Sequence, residues 1–216
     1  MPYSFSEVSQ FKPDLNLNQV LFNGLYPNIY EGLPAVDWYS NYISTYLERD
    51  VRQISKVEDL SVFQFFLQIL AGQTAQVLNL NSISTQLGIS HNTATRWLNI
   101  LEASFIIYRL KPYSKNIKKR LIKSPKLYFY DTGLLASLLG LKSERDIAQH
   151  WLRGQIFENF CINEVTKNYF NKGLKPNIYY LRDSNGREVD LVLEKKYGEL
   201  TGVEIKSSQT LKTDFW

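Results

Sequence analysis

Apolar positions recur at helical spacing from Trp38 onward and at strand spacing in the C-terminal third. The first 36 residues show neither pattern. Trp38, Tyr42, Thr45, Tyr46 and Arg49 fall three to four apart, and Tyr39, Ile43 and Leu47 widen that face. Val62 to Leu70 is apolar on most sides, which predicts a buried helix, with Ser61 as its cap. Upstream, Pro2, Pro13, Pro27 and Pro34 interrupt every period. Residues 1–36 are therefore expected to be irregular and to belong to a preceding unit that is missing from this sequence.

Ser82 to Glu102 has the pattern of a helix-turn-helix. A short helix ends at Gly88, which takes the left-handed backbone a helix end needs. Ile89 is an apolar plug in the turn, and Ser90 caps the next helix. On that second helix Ala94, Trp97, Leu98 and Leu101 share one stripe, while Asn92, Arg96 and Asn99 lie opposite. Phe105–Leu110 and Leu127–Tyr130 are rich in aromatic and β-branched residues and predict two strands. A helix-turn-helix followed by a hairpin is the order of a winged helix. Asp131 is expected to cap a helix running to Leu139.

A second unit is expected from about residue 151. Its pattern is a helix (Gln155–Phe170) and three strands (Asn177–Leu181, Arg187–Leu193 and Leu200–Lys206). The whole is thus an α+β chain: an irregular segment over 1–36, a helical segment with a winged helix over 37–150, and a partial αβββ unit over 151–216.

Composition narrows the possibilities. The chain has 216 residues, 44% hydrophobic and 21% charged, which is globular and neither disordered nor collagen-like. No run of eighteen apolar residues is present, so no membrane span is expected. A single cysteine, Cys161, excludes an internal disulfide framework, and only two histidines accompany it, so a Cys/His zinc site is not expected. A cytoplasmic, reducing setting is the default.

The net charge of +4 is concentrated in one stretch. Lys111, Lys115, Lys118, Lys119, Arg120, Lys123 and Lys126 lie within 16 residues that contain no acid, and without them the chain is net −3. This stretch joins the two predicted strands. A basic hairpin tip suits phosphate contact, with Lys115, Lys118, Lys119, Arg120 and Lys123 as the expected phosphate ligands. Asn92, Arg96 and Asn99 present the donors and acceptors that match adenine and guanine edges. DNA is accordingly the expected partner.

The C-terminal unit carries a second kind of chemistry. Glu158 falls on an apolar helical stripe, Asp190 interrupts the apolar run Val189–Leu193, and Glu204 and Lys206 are two apart on the third predicted strand. Unpaired carboxylates aimed inward are costly, which suggests a shared cation, and carboxylate oxygens favour Mg²⁺ or Mn²⁺. Glu158, Asp190 and Glu204 are the candidate metal ligands. Asp190, Glu204 and Lys206 are the candidate catalytic residues, with Lys206 positioning a water.

Glu158, Asp190 and Glu204-Ile205-Lys206 resemble the PD-(D/E)xK nuclease signature. Over most of its length the chain resembles the C-terminal part of a family of AAA-type ATPases. In that family a winged helix and a nuclease-like domain of unknown function follow a P-loop domain. The stretches that carry the resemblance are Tyr42–Asp50, Lys118–Leu134, Arg153–Asn159 and Arg182–Leu191. Among the eleven glycines none belongs to a Gly-x-x-x-x-Gly-Lys-[Ser/Thr] loop, so no ATP site is expected here. The resemblance implies a nuclease-like domain that stops short of its usual length, and a separate or missing ATPase domain as a partner. Three functions follow: DNA binding through the wing, Mg²⁺-dependent phosphodiester cleavage, or docking and oligomerisation for the ATPase.

Overall fold

The structure, a computed structural model, describes residues 2–47, 60–114, 124–183, 186–196 and 198–208. The segment expected to be irregular carries three short helices: α1 (Phe5–Phe11), α2 (Leu17–Asn23) and α3 (Pro27–Tyr30). That expectation is corrected, and the reason is local. Ser4 accepts from the Glu7 amide while the Glu7 carboxylate accepts from the Ser4 amide, and Asn16 and Gln19 form the same reciprocal pair. Pro27 opens α3, where its missing N–H is no loss.

These helices pack on the chain's own body. Val8, Val20 and Leu25 form a small core against Phe160. The Lys167 ammonium donates to the Tyr3 carbonyl at 2.7 Å, and the Phe5 amide donates to the Glu164 carboxylate at 2.7 Å.

Helix α4 (Ala35–Tyr42) ends in a π-helical turn, Ile43–Leu47. Helix α5 is described from Leu60 to Gly72 and contains Ser61, which was expected to precede it as its cap. Residues 75–78, which open with Ala75 at φ +58°, lead to α6 (Leu80–Leu87) and α7 (His91–Ala103). Gly88 between them has φ +65°, and Ser90 accepts from the Thr93 amide at 3.0 Å, as the sequence predicts. Trp97 stands edge-on to Phe63 and Phe66, with centroids 5.3 and 5.4 Å away, and fixes α7 on α5.

Strands β1 (Ile107–Leu110) and β2 (Lys126–Phe129) pair antiparallel, Ile107 opposite Phe129. Phe105, expected in the first strand, instead turns the chain with φ +55° and is exposed. On its other edge β2 pairs with residues 75–78: the Ala75 amide donates to the Leu127 carbonyl at 2.7 Å and the Leu127 amide to the Gln76 carbonyl at 3.1 Å.

Helices α8 (Thr132–Leu138), α9 (Glu144–Gln149) and α10 (Arg153–Asn171) follow. Beyond α10, β3 (Ile178–Arg182), β4 (Glu188–Lys196) and β5 (Glu199–Val203) form an antiparallel sheet in that order. Strand β5 ends at Val203, so Glu204 and Lys206 follow the strand that was expected to carry them. The chain is thus mixed α+β, with one sheet of two and one of three strands among the described residues.

The main apolar core runs from Leu21 through α5–α8 to Leu152 and Ile156, across the boundary expected near 151. A second cluster joins Tyr108, Tyr128 and Ile162 to Ile178, Tyr180 and Leu191, between the two sheets. Among the described residues no helix is long and apolar enough to cross a membrane.

Candidate functional site

Two sets of residues were expected to carry function. The first is the outer face of α7. Ala94, Trp97, Leu98 and Leu101 are buried, so Asn92, Arg96 and Asn99 are exposed by the same helical period. Together with Thr95, Ile100, Ala103 and Ser104 they line a shallow depression of about 600 Å³. Asn99 is not wholly free. Its carbonyl oxygen accepts from Arg109 Nη2 at 3.1 Å, and Arg109 also pairs with Glu102. Lys115, Lys118, Lys119, Arg120 and Lys123 lie outside the described residues.

Both legs of that basic segment are held by one residue of β3. The Tyr113 amide donates to the Tyr180 carbonyl at 2.6 Å, and the Tyr180 amide donates to the Lys111 carbonyl at 3.1 Å. The Tyr180 hydroxyl reaches across to the Ser124 carbonyl at 2.6 Å. Lys111 is exposed. Lys126 is not: its side chain is only 3% exposed, which corrects its placement among the solvated charges of the tip.

Lys126 belongs to the second set, the acidic centre. Its ammonium lies 3.0 Å from Glu158, 2.5 Å from Glu188 and 4.0 Å from Asp190. Glu158 also accepts from the Tyr128 hydroxyl at 2.6 Å. Asp190 accepts from the Ile205 amide at 2.9 Å and lies 3.8 Å from Lys206, which pairs with Glu204 at 3.2 Å.

The electrostatics follow from burial and pairing. Burial pushes the Glu158 carboxyl above its usual range, and Lys126 and Tyr128 pull it back only in part. Burial works against the Lys126 ammonium, yet Glu158 and Glu188 outweigh it and its pKa rises. Burial, then the adjacent Asp190, raises Glu204, with Lys206 opposing. Cys161 is half-buried, and burial lifts its thiol to about 11, far from a nucleophile's range.

The expected divalent ion does not fit this arrangement. Glu158, Asp190 and Glu204 do not converge on one open position: Lys126 stands between Glu158 and Asp190, and Lys206 stands against Asp190 and Glu204. Among the described residues no group of three His, Cys, Asp or Glu side chains is placed to hold a metal.

Sequence reasoning brought Glu158, Asp190, Glu204 and Lys206 to one place. It missed Lys126, Tyr128 and Glu188. The available signal was position: Lys126 alone among the basic residues adjoins the apolar run Leu127–Tyr130.

The family comparison finds two matched domains, and the acidic centre draws residues from both. The profile of a domain of unknown function, DUF8612, matches residues 14–145. This chain belongs to the DUF8612 family. A second domain of unknown function, DUF4143, matches residues 153–215. Uncharacterized proteins of Mycobacterium bovis and Mycobacterium tuberculosis are each 32% identical over 174 residues, covering 80% of this chain and 38% of the relative. An uncharacterized protein of Haemophilus influenzae is 26% identical, covering 65% of this chain and 39% of its own. The chain thus spans less than half the length of the curated relatives it matches. No solved structure matches it.

Proposed function

We propose that this DUF8612 chain is a duplex-DNA-binding module of a longer AAA-type ATPase, built as a winged helix braced by a nuclease-like unit that does not cleave. One observation carries the reading: α7 buries Ala94, Trp97, Leu98 and Leu101 and turns Asn92, Arg96 and Asn99 outward, and a hairpin with a basic connection follows directly. The order α5, residues 75–78, α6, α7, β1, β2, with residues 75–78 and β1 flanking β2, supports the winged-helix reading. A major groove about 12 Å wide admits a helix such as α7. Arg96 would read a guanine edge and Asn92 an adenine edge, while Lys115, Lys118, Lys119, Arg120 and Lys123 would neutralise phosphates. Cleavage is left out because Glu158 is committed to Lys126 and Tyr128.

The test is binding of this chain to a short labelled duplex across a salt series, with and without Mg²⁺, with the same samples run on a gel. Affinity should fall linearly on a log–log plot, by about −0.9 per phosphate neutralised, with the duplex intact. Salt-independent binding would overturn the mechanism. No binding at low salt, with retention by the ATPase part of a full-length relative, would favour the docking role.

A further inference from the structure

The acidic centre was expected to recruit a cation, and the chain supplies one itself. Lys126 starts β2, but its ammonium crosses into the C-terminal unit. It meets Glu158 on α10 at 3.0 Å and, on β4, Glu188 at 2.5 Å and Asp190 at 4.0 Å. The side chain is 3% exposed, and the Tyr180 ring lies 5.7 Å away on one side. Buried carboxylates need an opposite charge and hydrogen-bond donors; this ammonium provides both. A divalent ion brought to the same oxygens would face a fixed positive charge where little water screens it.

We propose that Lys126 is the resident cation of this centre. Its ammonium occupies the position a divalent ion would take, joins β2 to α10 and β4, and closes the centre to Mg²⁺ and Mn²⁺. Lys206 balances the outer pair, Asp190 and Glu204. The acidic centre is then a charge-pairing joint between the two matched domains. The inference is independent of whether α7 binds DNA.

The experiment uses the full chain and Mn²⁺ alone, followed by the free-ion electron paramagnetic resonance signal and by Tm. The wild type is expected to leave the signal undiminished. Lys126→Ala is expected to take up one equivalent of Mn²⁺, with Tm rising as Mn²⁺ is added. Adding Asp190→Asn to that variant should abolish the uptake. Wild-type uptake of one equivalent that is lost in Asp190→Asn would overturn the proposal, and so would a folded Lys126→Ala that takes up none. If Lys126→Ala does not fold, Lys126→Gln, which removes the charge but keeps a polar N–H group on a shorter stem, replaces it, and the wild-type titration is decisive by itself.

Discussion

The Asn159 side chain pairs with Phe129 as a neighbouring strand would. It donates to the Phe129 carbonyl at 2.8 Å and accepts from the Phe129 amide at 2.8 Å. This continues the edge along which Ala75 and Gln76 pair with Leu127, one step further along β2. The same Asn159 oxygen accepts from Thr74 at 2.9 Å, and Asn163 adds a second bond to the Phe129 carbonyl. Helix α10 is thereby hydrogen-bonded to the sheet as well as packed on it.

Asn159→Ala should therefore be costly. The carbonyl of Phe129 keeps Asn163, but its amide and the Thr74 hydroxyl lose their partner in the core. At about 1–3 kcal/mol for each of the two buried unsatisfied groups, the expected loss is roughly 2–6 kcal/mol in urea unfolding. A loss below about 0.5 kcal/mol would show that the edge is satisfied by other means.

Asp131 does more than cap α8. It accepts from the Leu134 amide at 2.9 Å, the Leu25 amide at 2.8 Å and the Tyr39 hydroxyl at 2.6 Å. Gly24 and Gly133 lie so close that a Cβ on either would fall within 2.5 Å of that cluster. Asp131→Ala should loosen the N-terminal helices. Limited proteolysis should then cut within residues 2–30 much faster than in the wild type. Equal rates would mean that the Val8–Val20–Leu25 core holds them alone.

The Lys126 joint gives a pH dependence. The Lys126 pKa is raised above its ordinary 10.5, burial opposing and the Glu158 and Glu188 carboxylates prevailing. Its contribution is complete below 10.5 and is lost as pH rises through the folded value. Lys126→Met should cost about 3–5 kcal/mol at neutral pH, because it strands buried carboxylates. The gap between the two proteins should hold to about pH 10 and then narrow. A gap that widens at alkaline pH would contradict the pairing.

Arg96 is exposed, so Arg96→Ala should leave stability within about 0.5 kcal/mol of wild type. Duplex affinity should fall by about 1–3 kcal/mol if Arg96 reads a base edge. Unchanged affinity would move base recognition away from α7.

Tyr180→Phe removes the bond to Ser124 and nothing else from the β3 clamp. A stability loss of about 1 kcal/mol is expected. The salt slope of duplex binding should change as well, because the second leg of the basic segment loses its anchor. A changed stability with an unchanged slope would limit Tyr180 to a structural role.

What the sequence determined by itself is what acts within a turn or two of the chain. Gly88, Ser90 and Asp131 mark helix ends by their own backbone and side-chain chemistry. The 3.6-residue period of α7 fixes which residues face inward and which remain for a ligand. The capping pairs Ser4–Glu7 and Asn16–Gln19 were equally local, and the prolines around them obscured them. The tertiary structure decided the partners of Lys126, Asn159 and Asp131. Lys126 sits in a basic run, and its turn inward depends on carboxylates 32 and 62 residues away that come within reach only when α10 and β4 dock. No periodicity encodes such a pairing, because the attraction that offsets the cost of removing both charges from water exists only once the two elements are docked.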